Sequence, residues 1–490
     1  MTLSKIAEIL SENKLLQNFT PEQSRDLSLT GKISCDSRNV EKNSLFFVKG
    51  VNLKREFLLS AIEKGAEAYV SEKDLDVDIP LLLVSDVRKA MSAVARAVYG
   101  DFSEYFPLIG ITGTKGKTST LYMLESILRE KYGKVGIIST NEARCGEKTW
   151  EKTGTTPEAL ELFSILDGFR RENAGAAVME VSSQALKYDR VSGLTFSVGA
   201  FLNLSPDHIS PTEHSSFEDY KEAKKKLFSL CKKAVVNLDG EYSEEFLASA
   251  KSAETVTFSL TPAGDIYAYG ISQDRYGSSF SIGGKITAEN VRINMPGRFN
   301  ISNALCAAAC AYAVGISPED IRAGLANASA KGRLEIYEKN GITVLVDYAH
   351  NKSSFEALFE YAKTFYPDSK IIFLFGCIGD RALDRRAEIP EVAAKNADFI
   401  VYTTDDPGFE TPEKIFEEIE PIFKKHKTPY TFIEDRQKAV DFAIDIAKSG
   451  DLVILAGKGG ETTQLVKGRY MPYTGDMPAA KAKLGQRETE

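Results

Sequence analysis

Pro107-Leu-Ile-Gly-Ile-Thr-Gly113-Thr114-Lys115-Gly116-Lys117-Thr118-Ser119-Thr120 carries a short apolar run into a glycine turn, and Leu121-Tyr-Met-Leu-Glu-Ser-Ile-Leu-Arg129 continues it as a helical pattern. Strand, glycine loop, Lys-Thr and helix together make a phosphate cradle. The glycines let backbone N–H groups close around phosphate oxygens, and the helix N-terminus adds partial positive charge. Lys117 is placed to reach the β/γ-phosphates and the Thr118 hydroxyl to ligate Mg²⁺. The general loop pattern wants a glycine five places before Gly116; Ile111 stands there, so the loop is the shorter Gly113-x-x-Gly116-Lys117-Thr118. The stretch predicts an α/β domain that binds a nucleoside triphosphate.

Downstream, Lys134-Val-Gly-Ile-Ile138 predicts a second strand, followed by a loop to Thr155-Thr156-Pro157, which opens a helix. Ala176-Ala-Val-Met-Glu180 and Val198-Gly-Ala-Phe-Leu202 predict buried strands ending in Glu180-Val-Ser-Ser183 and Asn203-Leu-Ser-Pro-Asp-His208. Ligands of open α/β sheets gather beyond the strand C-termini, so Thr118, Glu180 and His208 are expected on one edge, where a carboxylate and an imidazole beside a triphosphate are candidate metal ligands. Tyr220-Lys-Glu-Ala-Lys224 lies on a basic helix. Residues 254–295 alternate polar and apolar in short runs, which predicts an antiparallel addition.

Upstream, residues 1–105 alternate short strands and helices, with Cys35-Asp36-Ser37-Arg38-Asn39 in a turn and Lys54-Arg55 after another loop, both candidates for a small anion or sugar. From 331 to 490 the pattern is β-α-β, with strands at Ile342–Val346, Ile371–Phe375, Phe399–Thr403 and Leu452–Ala456. Their ends carry Asp347-Tyr-Ala-His350, Gly376-Cys-Ile-Gly-Asp380-Arg381, Asp405-Asp406-Pro407-Gly408 and Gly457-Lys458-Gly459-Gly460-Glu461, a second binding face.

The 490 residues suffice for about three domains. A net charge of −8 argues against general affinity for nucleic acid or acidic membranes. The N-terminus lacks a secretory pattern, and the longest apolar run, Ala304 to Val314, is too short to span a bilayer. Six scattered cysteines without C-x-x-C fit a reducing compartment, with Cys306 and Cys310 on one helical face as core. A cytoplasmic protein without membrane insertion or nucleic-acid partner is expected, acting as a monomer.

Together these motifs resemble the Mur ligase family, ATP-dependent amino-acid-adding enzymes of peptidoglycan precursor synthesis. The resemblance rests on Gly113–Thr118, Met179-Glu-Val-Ser-Ser183, Asn203–His208, Tyr220–Lys224, Gly297-Arg-Phe-Asn300-Ile-Ser-Asn303, Gly332-Arg333 and Asp347–His350, in family order along nearly the whole chain. Asp36-Ser37-Arg38, Thr155-Thr156-Pro157 and Gly457–Glu461 look like the branch that adds the third residue to UDP-N-acetylmuramoyl-L-alanyl-D-glutamate.

The resemblance implies three domains: a UDP-sugar α/β domain (1–105), a central parallel-sheet ATPase domain (106–330) and a C-terminal Rossmann-like domain that binds the amino acid (331–490). It implies ATP and Mg²⁺ as cofactors. Catalysis would fall to Lys117, Glu180, His208 and Lys224, and metal binding to Thr118, Glu180, His208 and Lys224, the last as a carbamate. ATP would meet Gly113, Thr114, Lys115, Gly116, Lys117, Thr118, Ser119, Asn303, Arg333 and Asp347. Ser37, Thr155, Thr156, Ser183 and Arg190 would hold the UDP-muramoyl dipeptide; Arg386, Asp405, Asp406, Pro407, Gly408 and Glu461 would form the amino-acid site.

Lys115, Lys352 and Gly460 stand where many members have Asn, Pro and His; none carries an assigned chemical role. Members that add meso-diaminopimelate have Asp-Asn-Pro-Arg, whereas Asp405-Asp406-Pro407-Gly408 lacks the guanidinium and gains an acid. A pocket of that kind favours a lone ammonium, so L-lysine is the expected acceptor, with meso-diaminopimelate, ornithine or another diamino acid as alternatives. A folylpolyglutamate synthase-like ligase shares the loop but lacks a UDP-sugar module. A motor or switch NTPase would need further motifs that are missing, and a non-catalytic nucleotide-binding regulator would not need Glu180, His208 and Lys224.

Overall fold

In the computed structural model the described residues are 1–19, 27–50, 55–206, 209–210, 213–380, 383 and 385–486. His208 and Lys54, both singled out from the sequence, lie outside them. The chain divides into two units, one made of Met1–Ile271, Ser279–Ile293 and Phe299–Ala328, the other of Ser272–Ser278, Asn294–Arg298 and Ser329–Glu490.

The first unit contains two sheets. A five-stranded sheet runs in the order Leu16–Phe19, Leu81–Val84, Ala66–Ser71, Ser44–Phe47, Ile33–Ser34, parallel except for its first pair. Its Val87–Tyr99 helix starts on Asp86, whose carboxylate accepts from the N–H groups of Arg88 and Lys89, an N-cap that satisfies otherwise orphaned donors. The second sheet has eleven strands, with Leu108–Thr112 between Phe196–Phe201 and Ala176–Glu180 and parallel to both. All five residues of Leu108–Thr112 and of Ala176–Glu180 are buried, as strands covered on both faces must be. One apolar core joins the two sheets: Leu3, Phe47, Met91 and Phe102 belong to the same cluster as Phe163, Phe169 and Phe196.

Two local expectations are corrected. Glu254–Ser259 pairs parallel to Cys231–Asn237, because the Ser243–Ser249 helix between them forms a crossover rather than a tight turn. The segment expected as plain loop before Thr155 contains an antiparallel hairpin, Ala143–Cys145 with Lys148–Trp150, turning at Gly146 with φ +61°. Gly146-Glu147 is a turn pair whose first residue takes the left-handed conformation that glycine permits.

The second unit is built on a six-stranded sheet in the order Glu335–Lys339, Ile342–Asp347, Leu452–Ala456, Ile371–Phe375, Phe399–Thr403, Tyr430–Ile433. Only the first pair is antiparallel. Leu452–Ala456, late in sequence, sits at the centre between Ile342–Asp347 and Ile371–Phe375, which brings the last glycine-rich turn beside Asp347. Among the described residues no helix is long and apolar enough to cross a membrane.

Candidate active site

Glu180 pairs in register with Ile111 and Phe201 with Thr112, so three strands end side by side where the glycine loop begins. The Lys117–Tyr132 helix starts directly on Gly116, which has φ +84°. A side chain at position 116 would combine that strained backbone with a collision against Asn303 Oδ1, so the loop requires glycine there and lies directly against Asn303. Lys117 folds back over the loop, its Nζ donating to the carbonyls of Gly113 (2.8 Å) and Thr114 (3.0 Å). Thr114 is pinned in turn by the Asn203 carbonyl (3.0 Å) and by the Tyr220 hydroxyl (3.0 Å), and Lys115 N–H donates to Asn203 Oδ1 at 2.9 Å.

Thr118 Oγ1 donates to Glu180 Oε1 at 2.8 Å, and both residues are buried. Thr140 donates to both Glu180 oxygens, from its N–H (2.9 Å) and its hydroxyl (3.1 Å), and its Oγ1 lies 3.2 Å from Thr155 Oγ1. Thr156 Oγ1 donates to the Glu180 carbonyl at 2.9 Å, and Arg190 Nη1 donates to the Thr156 carbonyl at 3.0 Å. Two adjacent oxygen donors fit Mg²⁺, which takes one or two carboxylates and completes its shell with phosphate oxygens and water.

Lys224 is 1% exposed and donates from Nζ to Gly113 O at 2.9 Å, over the face of Tyr220 at 4.6 Å. Two ammonium groups, those of Lys117 and Lys224, thus converge on one carbonyl. Ser183 is buried and bonded through Oγ to His214 Nε2 at 2.9 Å. His214, fully buried, was not singled out from the sequence; the only signal was that histidine is scarce, with four in the chain. Ser37 opens a one-turn helix capped by Asp36, whose carboxylate is held below its usual range, first by the hydrogen bond from Arg38.

In the second unit Asp347 accepts from the N–H groups of Leu334 and Ala349, both at 2.8 Å. Burial pushes its carboxyl up, with Arg333 pulling the other way. Arg333 stacks on Tyr348 (4.3 Å), whose hydroxyl donates to Glu461 at 3.1 Å. Lys458, 1% exposed, joins the next strand ends: its Nζ lies 2.5 Å from Asp406, 3.0 Å from Glu461 and 3.5 Å from Asp405. Burial pushes the carboxyls of Asp405 and Glu461 up, and Lys458 offsets this in part. One ammonium shared by three carboxylates leaves the cluster acidic, although Arg436 also acts on Asp405. Arg386 is not brought into this group; its guanidinium binds Glu410 (2.6 and 3.1 Å), Glu418 (2.6 Å) and the Ile378 carbonyl (3.2 Å).

The Pro407-Gly408 turn is locked from two sides. Gly408 has φ +62° and donates its N–H to Leu465 O at 3.1 Å, and a Cβ there would collide with Asp380 Oδ2. A Gly408→Arg variant, which restores the guanidinium of the diaminopimelate branch, is therefore expected to lose about 1–2 kcal/mol of stability to left-handed backbone strain. It is expected to gain no use of diaminopimelate, as thermal melting and turnover assays will read.

Residues 111–311 match the family pattern described as the Mur ligase middle domain, and residues 332–459 that of the Mur ligase glutamate ligase domain. A UDP-N-acetylmuramoyl-L-alanyl-D-glutamate--L-lysine ligase of Enterococcus faecalis is 35% identical, over 99% of both chains. The solved structure of a UDP-N-acetylmuramoyl-L-alanyl-D-glutamate--2,6-diaminopimelate ligase superimposes with a TM-score of 0.66 at 25% identity, covering 99% of each chain. A folylpolyglutamate synthase of Thermotoga maritima shares the fold at 21% identity and a TM-score of 0.59, but covers 75% of this chain. With both family patterns matched in order and a relative 35% identical over 99% of each chain, the chain belongs to the Mur ligases.

Proposed function

We propose that the protein is a cytoplasmic ATP-dependent ligase that joins L-lysine to the D-glutamyl γ-carboxylate of UDP-N-acetylmuramoyl-L-alanyl-D-glutamate in peptidoglycan precursor synthesis. The observation that carries the choice of amino acid is the acid-rich cluster of Asp405, Asp406 and Glu461 around Lys458, with Gly408, which has no side chain, two residues after Asp406 where a guanidinium would be needed for a second carboxylate.

In this reading residues 1–105 receive the UDP-sugar, 106–330 bind ATP and 331–490 deliver the amino acid. The γ-carboxylate attacks the γ-phosphoryl group of ATP and an acyl phosphate forms; the α-amine of lysine then attacks that carbonyl and phosphate leaves. Lys117 leaves its loop carbonyls to meet the charge growing on the transferring phosphoryl oxygens, where most catalysis in phosphoryl transfer lies. Thr118 and Glu180 would hold Mg²⁺, which when bound would supply positive charge to the phosphates. Lys224, buried against the loop, carries a carbamate that turns a cation into a metal ligand and relieves its proximity to Lys117. Asp405, Asp406 and Glu461 take the distal ammonium of lysine.

The test is phosphate release from ATP with Mg²⁺, the UDP-muramoyl dipeptide and a panel of amino acids. Release that depends on the dipeptide and on a diamino acid supports the reading. Release with folate-linked glutamate, or none with any acceptor, overturns it.

A further inference from the structure

Three cations from three separate elements converge on one carboxylate in the first unit. Glu158, immediately before the Ala159–Arg171 helix, has Oε1 2.9 Å from Lys49 Nζ and 3.0 Å from Arg190 Nη2, and Oε2 3.8 Å from Arg88 Nη1. Lys49 follows the Ser44–Phe47 strand, Arg88 lies in the first turn of Val87–Tyr99, and Arg190 follows the Ser183–Lys187 helix. Burial alone would raise the Glu158 carboxyl, yet Arg190, Lys49 and Arg88 hold it below its usual value.

The cluster is over-supplied with donors. Arg88 Nη1 and Arg190 Nε are buried and make no hydrogen bond among the described residues, the former reaching Glu158 only at ion-pair distance. Buried guanidinium N–H groups left without an acceptor are costly, and structures rarely keep them without a ligand to complete them. Other acids in reach are committed elsewhere: Glu161 accepts from the N–H and hydroxyl of Thr153 (2.8 and 2.6 Å), and Asp86 caps its own helix. The frame is stiff. Ser92 Oγ donates to Asp189 O at 2.5 Å and Arg96 Nη1 to Gly193 O at 2.8 Å, clamping the Arg88 helix to the segment that carries Arg190. Arg88 also stacks on Tyr188 at 4.4 Å.

The position fits a substrate anion. Arg190 also bonds the Thr156 carbonyl, one residue from Thr155 and two steps from Glu180, while Cys35, beside Ser37, lies within electrostatic reach of Lys49 and Glu158. Through Arg190 and Thr156 the cluster is thus tied to the strand end that carries Glu180. We propose that Lys49 and Arg88 act with Arg190 as an oxyanion subsite for the nucleotide-linked substrate, with Glu158 as the shared counter-ion that keeps the three cations converged before the ligand arrives. The subsite rests on the functional reading above. Its chemistry, paired guanidinium and ammonium donors, suits either the diphosphate or a carboxylate of the muramoyl peptide.

The test compares wild type with Arg88→Met, Lys49→Met and the charge-keeping Lys49→Arg by calorimetry against UDP, UDP-N-acetylmuramate and the UDP-muramoyl dipeptide. KM for ATP and for the amino acid and the melting temperature are measured in parallel. Loss of one charge-assisted contact should weaken dipeptide binding and raise its KM by about ten-fold or more, with the KM values for ATP and amino acid unchanged and Lys49→Arg close to wild type. Equal weakening of UDP marks the diphosphate as the ligand; UDP unaffected and the muramoyl compounds weakened marks a carboxylate. Normal dipeptide binding by both Met variants, or a parallel rise in every KM with a fall in melting temperature, overturns the subsite while the ligase reading stands. Absence of dipeptide binding by the wild type overturns both.

Discussion

Lys224→Ala is expected to lose nearly all turnover, on the order of 10²–10³-fold, the usual cost of removing a group that stabilises transition-state charge. The residue is 1% exposed, lies over Tyr220 and donates to Gly113 O, the carbonyl that also receives Lys117. A plain ammonium there adds a second positive charge beside Lys117, whereas a carbamate supplies an oxygen ligand. A short-chain carboxylate added to the assay should restore part of the activity by occupying the vacated volume with the same chemistry. Full activity of the variant would remove the carbamate from the mechanism.

Lys117→Ala should abolish phosphate release with about 2.7–4 kcal/mol or more of lost transition-state stabilisation, yet leave the UDP-muramoyl dipeptide bound at near wild-type affinity. Lys117 donates to carbonyls of its own loop, whereas Ser37, Arg190 and the Glu158 cluster lie on other elements. Calorimetry showing equal loss of ATP and dipeptide binding would contradict two separable sites on this unit.

Much of the site was legible because α/β chemistry concentrates at strand ends. Gly113–Thr118, Glu180, Asp347 and Asp405–Gly408 each follow a continuous apolar run, and the sheet order needs only parallel pairing to align them. What stayed hidden depends on pairing between distant segments. The Lys49–Arg88–Arg190–Glu158 cluster draws on the ends of three helices and one strand, and each member alone reads as a solvated charge. Lys458 reads as part of a glycine-rich turn, although the fold buries it among three acids. The buried pair of Arg436 and Asp476, 2.7 Å apart, is equally silent: it ties two helices to the Ala456 carbonyl, directly before Gly457-Lys458. The Glu254–Ser259 strand misled because alternating burial marks a strand exposed on one face and says nothing of its direction.

The central claim is that an acid-rich pocket selects a lone ammonium. The most direct measurement is kcat/KM for L-lysine against meso-diaminopimelate, with ATP, Mg²⁺ and the same UDP-muramoyl dipeptide. Asp405, Asp406 and Glu461 outnumber the Lys458 ammonium they share, so the extra carboxylate of diaminopimelate meets like charge, and Gly408 supplies no guanidinium to receive it. A like-charge contact costs several kcal/mol, so L-lysine should be preferred by at least about 100-fold. Equal values, or a preference for diaminopimelate, would contradict the account.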